Sequence, residues 1–375
     1  MSPRTLTVVQ LLPALESGGV ERGTLEVAGE IVRRGYRSVV ISAGGRLVGP
    51  LESAGSRHIT WNIGRKSPLT LRHVAPLRRL LRELDADVLH PRSRVPAWVA
   101  WLAWRGMDVA TRPRLLTTVH GLYSPGLNSS VMTRGQRVIA ISRTVERYIH
   151  RHFPKCPPER IHVIPRGVAP EAFPTGLKPT PAWWDAWHAR FPETRGKRLL
   201  ALAGRITRLK GHSDFIRMLA HLQPGRPEVH GLIVGAEDPR RLAYARELRQ
   251  LASSLGLTGL SFTGERADMP EVLAACDIVY ALSADPPEAF GRTALEALAL
   301  GRPVIGYDAG GTGEVLGELL PQGLVKPGDL AALDERTRAF LDAPPTPAPN
   351  QRYTLRRMLD DELALCEELA AERRR

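Results

Sequence analysis

Residues 277–307 constrain the fold more tightly than any other part of the chain. DIVYAL (277–282) is a short β-branched, apolar run of the kind that makes a parallel strand buried on both faces. Pro286 and Pro287 end it, so Glu288 falls in a loop. Gly291 permits a tight turn, and residues 292–300 are rich in strong helix formers. Gly301 and Pro303 then stop the helix before the apolar run PVIGY (303–307). Strand, loop, helix and strand in so short a stretch form a βαβ unit with parallel strands. In such sheets ligands bind at the carboxyl ends of the strands, and the first turn of the next helix offers free N–H groups to an anion. Glu288 in the loop and Glu296 in the second helical turn lie on different elements. Each ionised carboxylate can accept from paired hydroxyls, so the geometry favours a polyhydroxylated, phosphorylated ligand. The plain alternative, a solvated loop residue and an ordinary helix residue, stays open on these residues alone.

The same rhythm runs through the chain. Strands are expected at 5–12, 38–42, 88–90, 114–119, 136–142 and 161–167, and again at 198–203, 229–234, 260–263, 277–282 and 303–307, with helical stretches between them. A chain of 375 residues is long enough for two such domains. The Pro-rich stretch 170–196, with Trp183, Trp184 and Trp187, reads as a partly packed connection between them. Residues 69–84 have apolar positions at helical spacing with Arg72, Arg78, Arg79 and Arg82 on other faces. That is a helix packed on the sheet or one lying on anionic lipid, with Pro76 kinking or starting it. PAWVAWLAW (96–104) reads as a buried helix too short to span a bilayer.

Charge narrows the partners. Residues 1–192 hold 28 Lys and Arg against 13 Asp and Glu, whereas 193–375 hold 24 against 26. An asymmetry of this kind points to an anionic partner of the first half. No aromatic-basic ladder accompanies it, so nucleic acid is not expected. The chain has no apolar run of about 18 residues, and its opening reads as a strand, not a leader; cytoplasmic residence is expected. Cys156, Cys276 and Cys366 are odd in number and lack metal-type spacing, which suits a reducing compartment. The Asp85-Ala86-Asp87 pair precedes a strand where a metal-holding pair would follow one, so no metal is expected.

Gly18–Gly19 sit at the first crossover, either as a phosphate-approach loop or as a turn needing positive φ. His120-Gly121 end a strand, where a histidine is well placed to meet a ligand. Gly204 closes another, and Arg205 and Lys210 around that turn suit a pyrophosphate. Gly235 and Gly264 end two more strands where backbone can approach a ligand. Residues 122–134 read as a loop able to cover an acceptor site.

Together Glu288, Phe290, Gly291, Glu296, Ala297, Ala299, Gly301, Pro303, Val304 and Ile305 resemble the signature of family-4 retaining glycosyltransferases of the GT-B architecture. GGVER at 18–22, HGLYSPG at 120–126, VIPRGV at 163–168 and EDPRR at 237–241 look like bacterial lipopolysaccharide-type members, with Arg166 where asparagine is commoner. The resemblance implies an α/β fold of two Rossmann-like parallel-sheet domains facing a cleft, with a C-terminal helix crossing back to the first. Its boundaries would be 1–175 for the acceptor-binding domain, 176–196 for the connection, 197–345 for the nucleotide-sugar domain and 346–375 for the terminal helical segment.

It further implies that Gly18, Gly19, Gly204, Arg205, Lys210, Gly235, Glu265, Arg266, Glu288, Ala289, Phe290, Gly291, Arg292 and Glu296 bind the donor. Arg205 and Lys210 would clamp its pyrophosphate, Glu288 would hold the transferred sugar, Glu296 the ribose, and His120 would contact the sugar from the acceptor side. Glu288, His120, Arg205 and Lys210 are thus the catalytic candidates. Gly310 to Glu314 resemble a family turn near the donor. No cofactor or metal is implied. The partners implied are a nucleoside-diphosphate sugar, an anionic glycolipid acceptor and, peripherally, the cytoplasmic face of an anionic inner membrane. A soluble-acceptor transferase and a nucleotide-sugar epimerase on the same architecture are the alternatives.

Overall fold

The computed structural model describes residues 5–16, 18–237 and 242–374. It forms two compact units, Met1–Pro165 with Arg356–Arg375, and Arg166–Leu355. In the first, the strands are β1 (Thr7–Leu11), β2 (Arg37–Ser42), β3 (Arg57–Thr60), β4 (Val88–Pro91), β5 (Arg114–Val119), β6 (Arg137–Ala140) and β7 (Ile161–Val163). Among the described residues they pair in the order β3-β2-β1-β4-β5-β6-β7, every pair parallel. The chain runs outward from β1 to β3 and then returns to the other side of β1, so the strand order reverses between β1 and β4. Val9, Leu11, Leu89, Leu115 and the inward face of the helix Arg94–Arg105 make the core on one side.

The arginine-rich stretch is not one helix. A 3-10 segment, Pro68–His73, leads into the α-helix Val74–Glu83, which places Pro76 in the first turn, where backbone N–H groups have no helical acceptor to lose. Arg78 does not face outward either: its guanidinium donates to the carbonyls of Ala103 and Leu102, both at 3.1 Å, and so caps the end of the helix Arg94–Arg105. Only Arg72, Arg79 and Arg82 of that set are exposed. Residues 122–134 are not an open loop, since they contain the helical turn Leu127–Ser130 and the 3-10 turn Val131–Thr133.

The helix Leu355–Arg374 closes the first unit. It buries Leu359, Leu363, Cys366 and Leu369, and also Glu362, whose Oε1 accepts from fully buried Arg92 at 2.7 Å. Arg92 in turn donates to Gln10 of β1 at 2.9 Å. Further along, Glu368 meets Arg137 at 2.8 Å, and Arg373 reaches Asp85 at 2.8 Å and Asp87 at 3.0 Å. The other oxygen of Asp87 accepts from the Thr7 backbone, so both aspartates serve the seam between helix and sheet. Counted over these units, the first holds 30 Lys and Arg against 17 Asp and Glu and the second 22 against 22, so the whole net charge of +13 belongs to the first.

The second unit contains β8 (Arg198–Ala203), β9 (Val229–Val234), β10 (Leu260–Gly264), β11 (Ile278–Ala281), β12 (Val304–Tyr307) and β13 (Leu324–Val325). Their order is β10-β9-β8-β11-β12-β13, again parallel, with the reversal between β8 and β11. Residues 170–196 are packed into this unit. The helix Pro181–Arg190 is capped by the Thr180 hydroxyl, and the Trp183 and Trp187 indoles donate to Asp268 at 2.7 Å and Thr194 at 2.9 Å.

Candidate functional site

In the second unit the strand-order reversal sets β8 beside β11, and the loops leaving their carboxyl ends carry most of the expected donor residues. β8 ends at Gly204, with φ near +149°, and Arg205 to Lys210 follow. A side chain at Gly204 would press on Lys210, and one at neighbouring Gly235 would lie 2.0 Å from the Gly204 carbonyl. Gly211 adopts the left-handed conformation as N-cap of the helix His212–Leu222. The Lys210 ammonium turns across to Glu288 Oε1 at 2.5 Å, and the Ser283 hydroxyl donates to the same oxygen at 3.2 Å. Both charged groups keep about a fifth to a quarter of their surface in solvent, so the pair is accessible to a ligand. Arg205 is exposed and has no protein partner among the described residues.

Among the helices that begin at this end of the sheet are His212–Leu222, Arg292–Ala299 and Gly310–Leu319. The dipoles of these helices make it favourable to anions. Gly291, left-handed at φ +83°, starts the second of them. Gly310 and Gly311 are the opening residues of the third and not a free turn; side chains there would overlap the Glu288 carbonyl and Phe290 Cα, at 2.3 and 2.2 Å. Bare backbone is required at this contact, and the Gly311 N–H donates to the Glu288 carbonyl at 2.7 Å. Glu288 is thereby held from both sides. Burial pushes the His212 imidazole down to about 4, so it is neutral and adds no charge beside Lys210.

Glu296 is 7% exposed and accepts from Arg292 Nε at 3.0 Å, one turn back on the same helix. It is therefore neither a solvated helix residue nor unsupported. Phe290 is buried against Tyr353, ring centroids 5.8 Å apart, so its side chain packs the loop, while Ala289 is half-buried beside it. Arg266 is committed to Asp268, donating from Nε at 2.8 Å and from Nη2 at 2.5 Å, and lies over the Trp187 ring. Glu265 beside it is exposed. Sequence reasoning missed Ser283, which holds Glu288, and gave no separate role to Thr312 within the 310–314 stretch, which is fully buried at the Gly291 turn with no hydroxyl partner among the described residues. A serine just past a strand and a threonine just past a glycine pair were the available signals.

In the first unit, Gly18 is the N-cap of the helix Gly19–Arg33 with φ −80°, so no positive φ is needed there. A side chain at Gly18 would strike the Glu21 carboxylate at 2.3 Å, whereas the space above Gly19 is open. His120 directly follows β5, half-buried, its backbone N–H donating to the Tyr123 hydroxyl at 3.1 Å. Residues 238–241 of the EDPRR segment lie outside the described residues.

A parallel sheet with helix starts at its switch point, a lysine and two supported carboxylates defines a Rossmann-like domain with an anion-favouring end, and the first unit holds a second parallel sheet of the same kind. Residues 17–172 match the model of glycosyltransferase family 4, and 185–356 that of the glycosyl transferases group 1. The first half of the chain thus carries a glycosyltransferase family 4 domain and the second a glycosyl transferases group 1 domain, together in a GT-B fold. The chain is 32% identical over 152 residues to the lipopolysaccharide core biosynthesis mannosyltransferase LpsB of Rhizobium meliloti, covering 40% of this chain and 43% of that protein. It is 34% identical over 245 residues to a D-inositol 3-phosphate glycosyltransferase of Stackebrandtia nassauensis, covering 60% and 53%. The chain thus spans about half the length of these curated relatives. A crystal structure of a glycosyltransferase from Rickettsia africae superposes with a TM-score of 0.84 at 26% identity, over 98% of this chain and 99% of that one.

Proposed function

We propose that the protein is a retaining hexosyltransferase that moves a sugar from a nucleoside-diphosphate sugar to an anionic glycolipid or polysaccharide precursor of a bacterial cell envelope, at the cytoplasmic face of the inner membrane. The observation that carries the reading is the Lys210–Glu288 pair at the β8–β11 reversal, backed by three helix starts. In this reading Arg205 and Lys210 take the diphosphate, with Lys210 exchanging its contact to Glu288 for phosphate oxygens. Glu288 holds the hydroxyls of the transferred sugar, Glu296 the ribose. The departing diphosphate removes the acceptor proton on the face it leaves, which retains the anomeric configuration. The protein supplies position and charge: two cations and the helix start at Gly291 offset the developing negative charge, and no divalent ion is needed.

The acceptor class rests on the likeness to a lipopolysaccharide core transferase and on the charge of the first unit. The likeness to D-inositol 3-phosphate glycosyltransferases favours a second reading, transfer to a small soluble phosphorylated acceptor. Both acceptors are anionic. A screen of UDP-, GDP- and ADP-sugars for slow donor hydrolysis, with and without chelator, tests the donor half. One donor should release its sugar with the anomeric configuration kept and a rate nearly unchanged by chelation. Release from none of them refutes the reading, and loss in chelator restored by magnesium or manganese refutes its metal-free form.

A further inference from the structure

The second unit has a cavity of about 470 Å³ at the amino-terminal ends of its strands, opposite to the loops that carry Lys210 and Glu288. Lys197 precedes β8, Val229 opens β9 and Gly259 precedes β10, and all three line it. Its volume falls in the range of small-molecule sites. Pro224, Pro227, Leu257 and Leu255 give it aliphatic walls, Leu255 being 42% exposed. Gln223 belongs to these walls and not to the binding groups. Its amide is spent on the Val229 and Gly259 carbonyls, at 3.2 and 2.8 Å, and on the Gly259 N–H at 3.3 Å.

The chemistry of the cavity comes from Glu193, Lys197 and His230. Burial alone would raise the Glu193 carboxyl, but hydrogen bonds from Ser261 and from its own backbone outweigh this and hold it below its ordinary value, so it is ionised at pH 7. The Ser261 hydroxyl gives its one proton to that carboxylate, and towards His230 Nε2, 2.9 Å away, it can only accept. His230 therefore carries its proton on Nε2, which leaves Nδ1 a bare acceptor. That nitrogen has no hydrogen-bond partner among the described residues, although His230 is only 2% exposed. Burial also pushes the imidazole below its ordinary value, with Glu193 opposing and Lys197 assisting, so the ring stays neutral at pH 7 and does not meet the need by taking up a proton. A buried acceptor left unmet is costly, and a ligand that donates to it removes the cost. Lys197 is exposed and uses one of its three protons on the Pro227 carbonyl at 2.8 Å; no acid pairs with it among the described residues.

We propose that this cavity binds a small zwitterion of the amino-acid class, its ammonium donating to His230 Nδ1 and facing the Glu193 carboxylate, its carboxylate on Lys197, and its aliphatic body against Pro224, Pro227 and Leu255. An acid without the amine would meet Glu193 as a like charge, and an amine without the acid would meet Lys197 in the same way. The site is remote from the proposed donor residues, and its test reads binding alone.

The full chain, with isotope-labelled histidine, is titrated with L-leucine by calorimetry and by nitrogen resonance. Leucine should bind with a dissociation constant of about a millimolar or lower, and the Nδ1 resonance of His230 should move as that of an acceptor gaining a hydrogen bond. Isocaproate and isoamylamine, which are leucine without its amine and without its acid, should each bind the wild-type chain about tenfold more weakly or worse. Leucine should bind E193Q and K197A weaker by a similar factor; both side chains are exposed, and unchanged thermal midpoints show that the variants are folded. Absence of leucine binding, binding that leaves His230 Nδ1 unmoved, or equal affinity for leucine and either fragment overturns the proposal. So does wild-type affinity in either folded variant.

Discussion

At the scale of single residues, the two carboxylates of the proposed donor site are separable by experiment. Glu296 is nearly buried and braced by Arg292, so Glu296→Gln should lower affinity for donor and for free nucleoside diphosphate alike, by roughly tenfold, through a part that does not react. Glu288→Gln should spare the free diphosphate and reduce turnover by about two orders of magnitude or more, because in the proposed reading it acts where positive charge develops. Calorimetry for the diphosphate and product release for transfer distinguish the two; equal loss of diphosphate binding would mean the roles are wrongly divided. Another carboxylate bears on stability. Hydrogen bonds from Arg33, opposed by burial and helped by Arg34, hold Glu30 down to about 2. Its folded-state value lies below the ordinary one, so its stabilisation is present above about pH 4.5 and is lost as pH falls towards 2. Glu30→Gln should therefore lower the melting temperature at pH 7 and flatten the loss of stability below pH 4.5. An unchanged acid profile would show that solvent screens the pair.

At the scale of elements, the fully buried Arg92–Glu362 pair joins the terminal helix to the sheet. Glu362→Ala strands a buried guanidinium and should cost about 3–5 kcal/mol, whereas R92M/E362L, which removes both charges, should cost much less. Urea melts of the two variants check this, and equal losses would mean that packing, not charge, holds the helix. This seam also marks where sequence reading stopped. The strand–helix rhythm, Glu288 in its loop and the turns at Gly204 and Gly291 were legible because glycine, proline and β-branched runs act locally. β3 and β13 were not read: RHIT alternates poorly at a sheet edge, and Leu324–Val325 is too short to show a period. Arg78 looked like a surface cation because its acceptors, two carbonyls at the end of another helix, are about twenty-five residues away. The Lys210–Glu288 contact spans 78 residues, and only the topology brings it together.

At the scale of the molecule, the second unit is one uninterrupted stretch, Arg166–Leu355, while the first is built from two pieces on either side of it. Residues 166–355 expressed alone should fold, bind a nucleoside diphosphate and show the near-ultraviolet signature of packed Trp187. Residues 1–165 alone should not fold cooperatively, and adding a peptide of residues 356–375 should restore a melting transition. A cooperative melt of 1–165 without the peptide would contradict this. The order of synthesis gives the same arrangement another meaning. Glu362, the partner of Arg92, leaves the ribosome only after the whole of 166–355 has been made, so the first-made half must wait, incomplete, while the later half is already able to fold. The nascent chain thus completes its second unit before its basic first unit is closed. Residues 356–375 act as the latch, and a chain stopped before them would carry a folded second unit beside an open first one that chaperones recognise as unfinished.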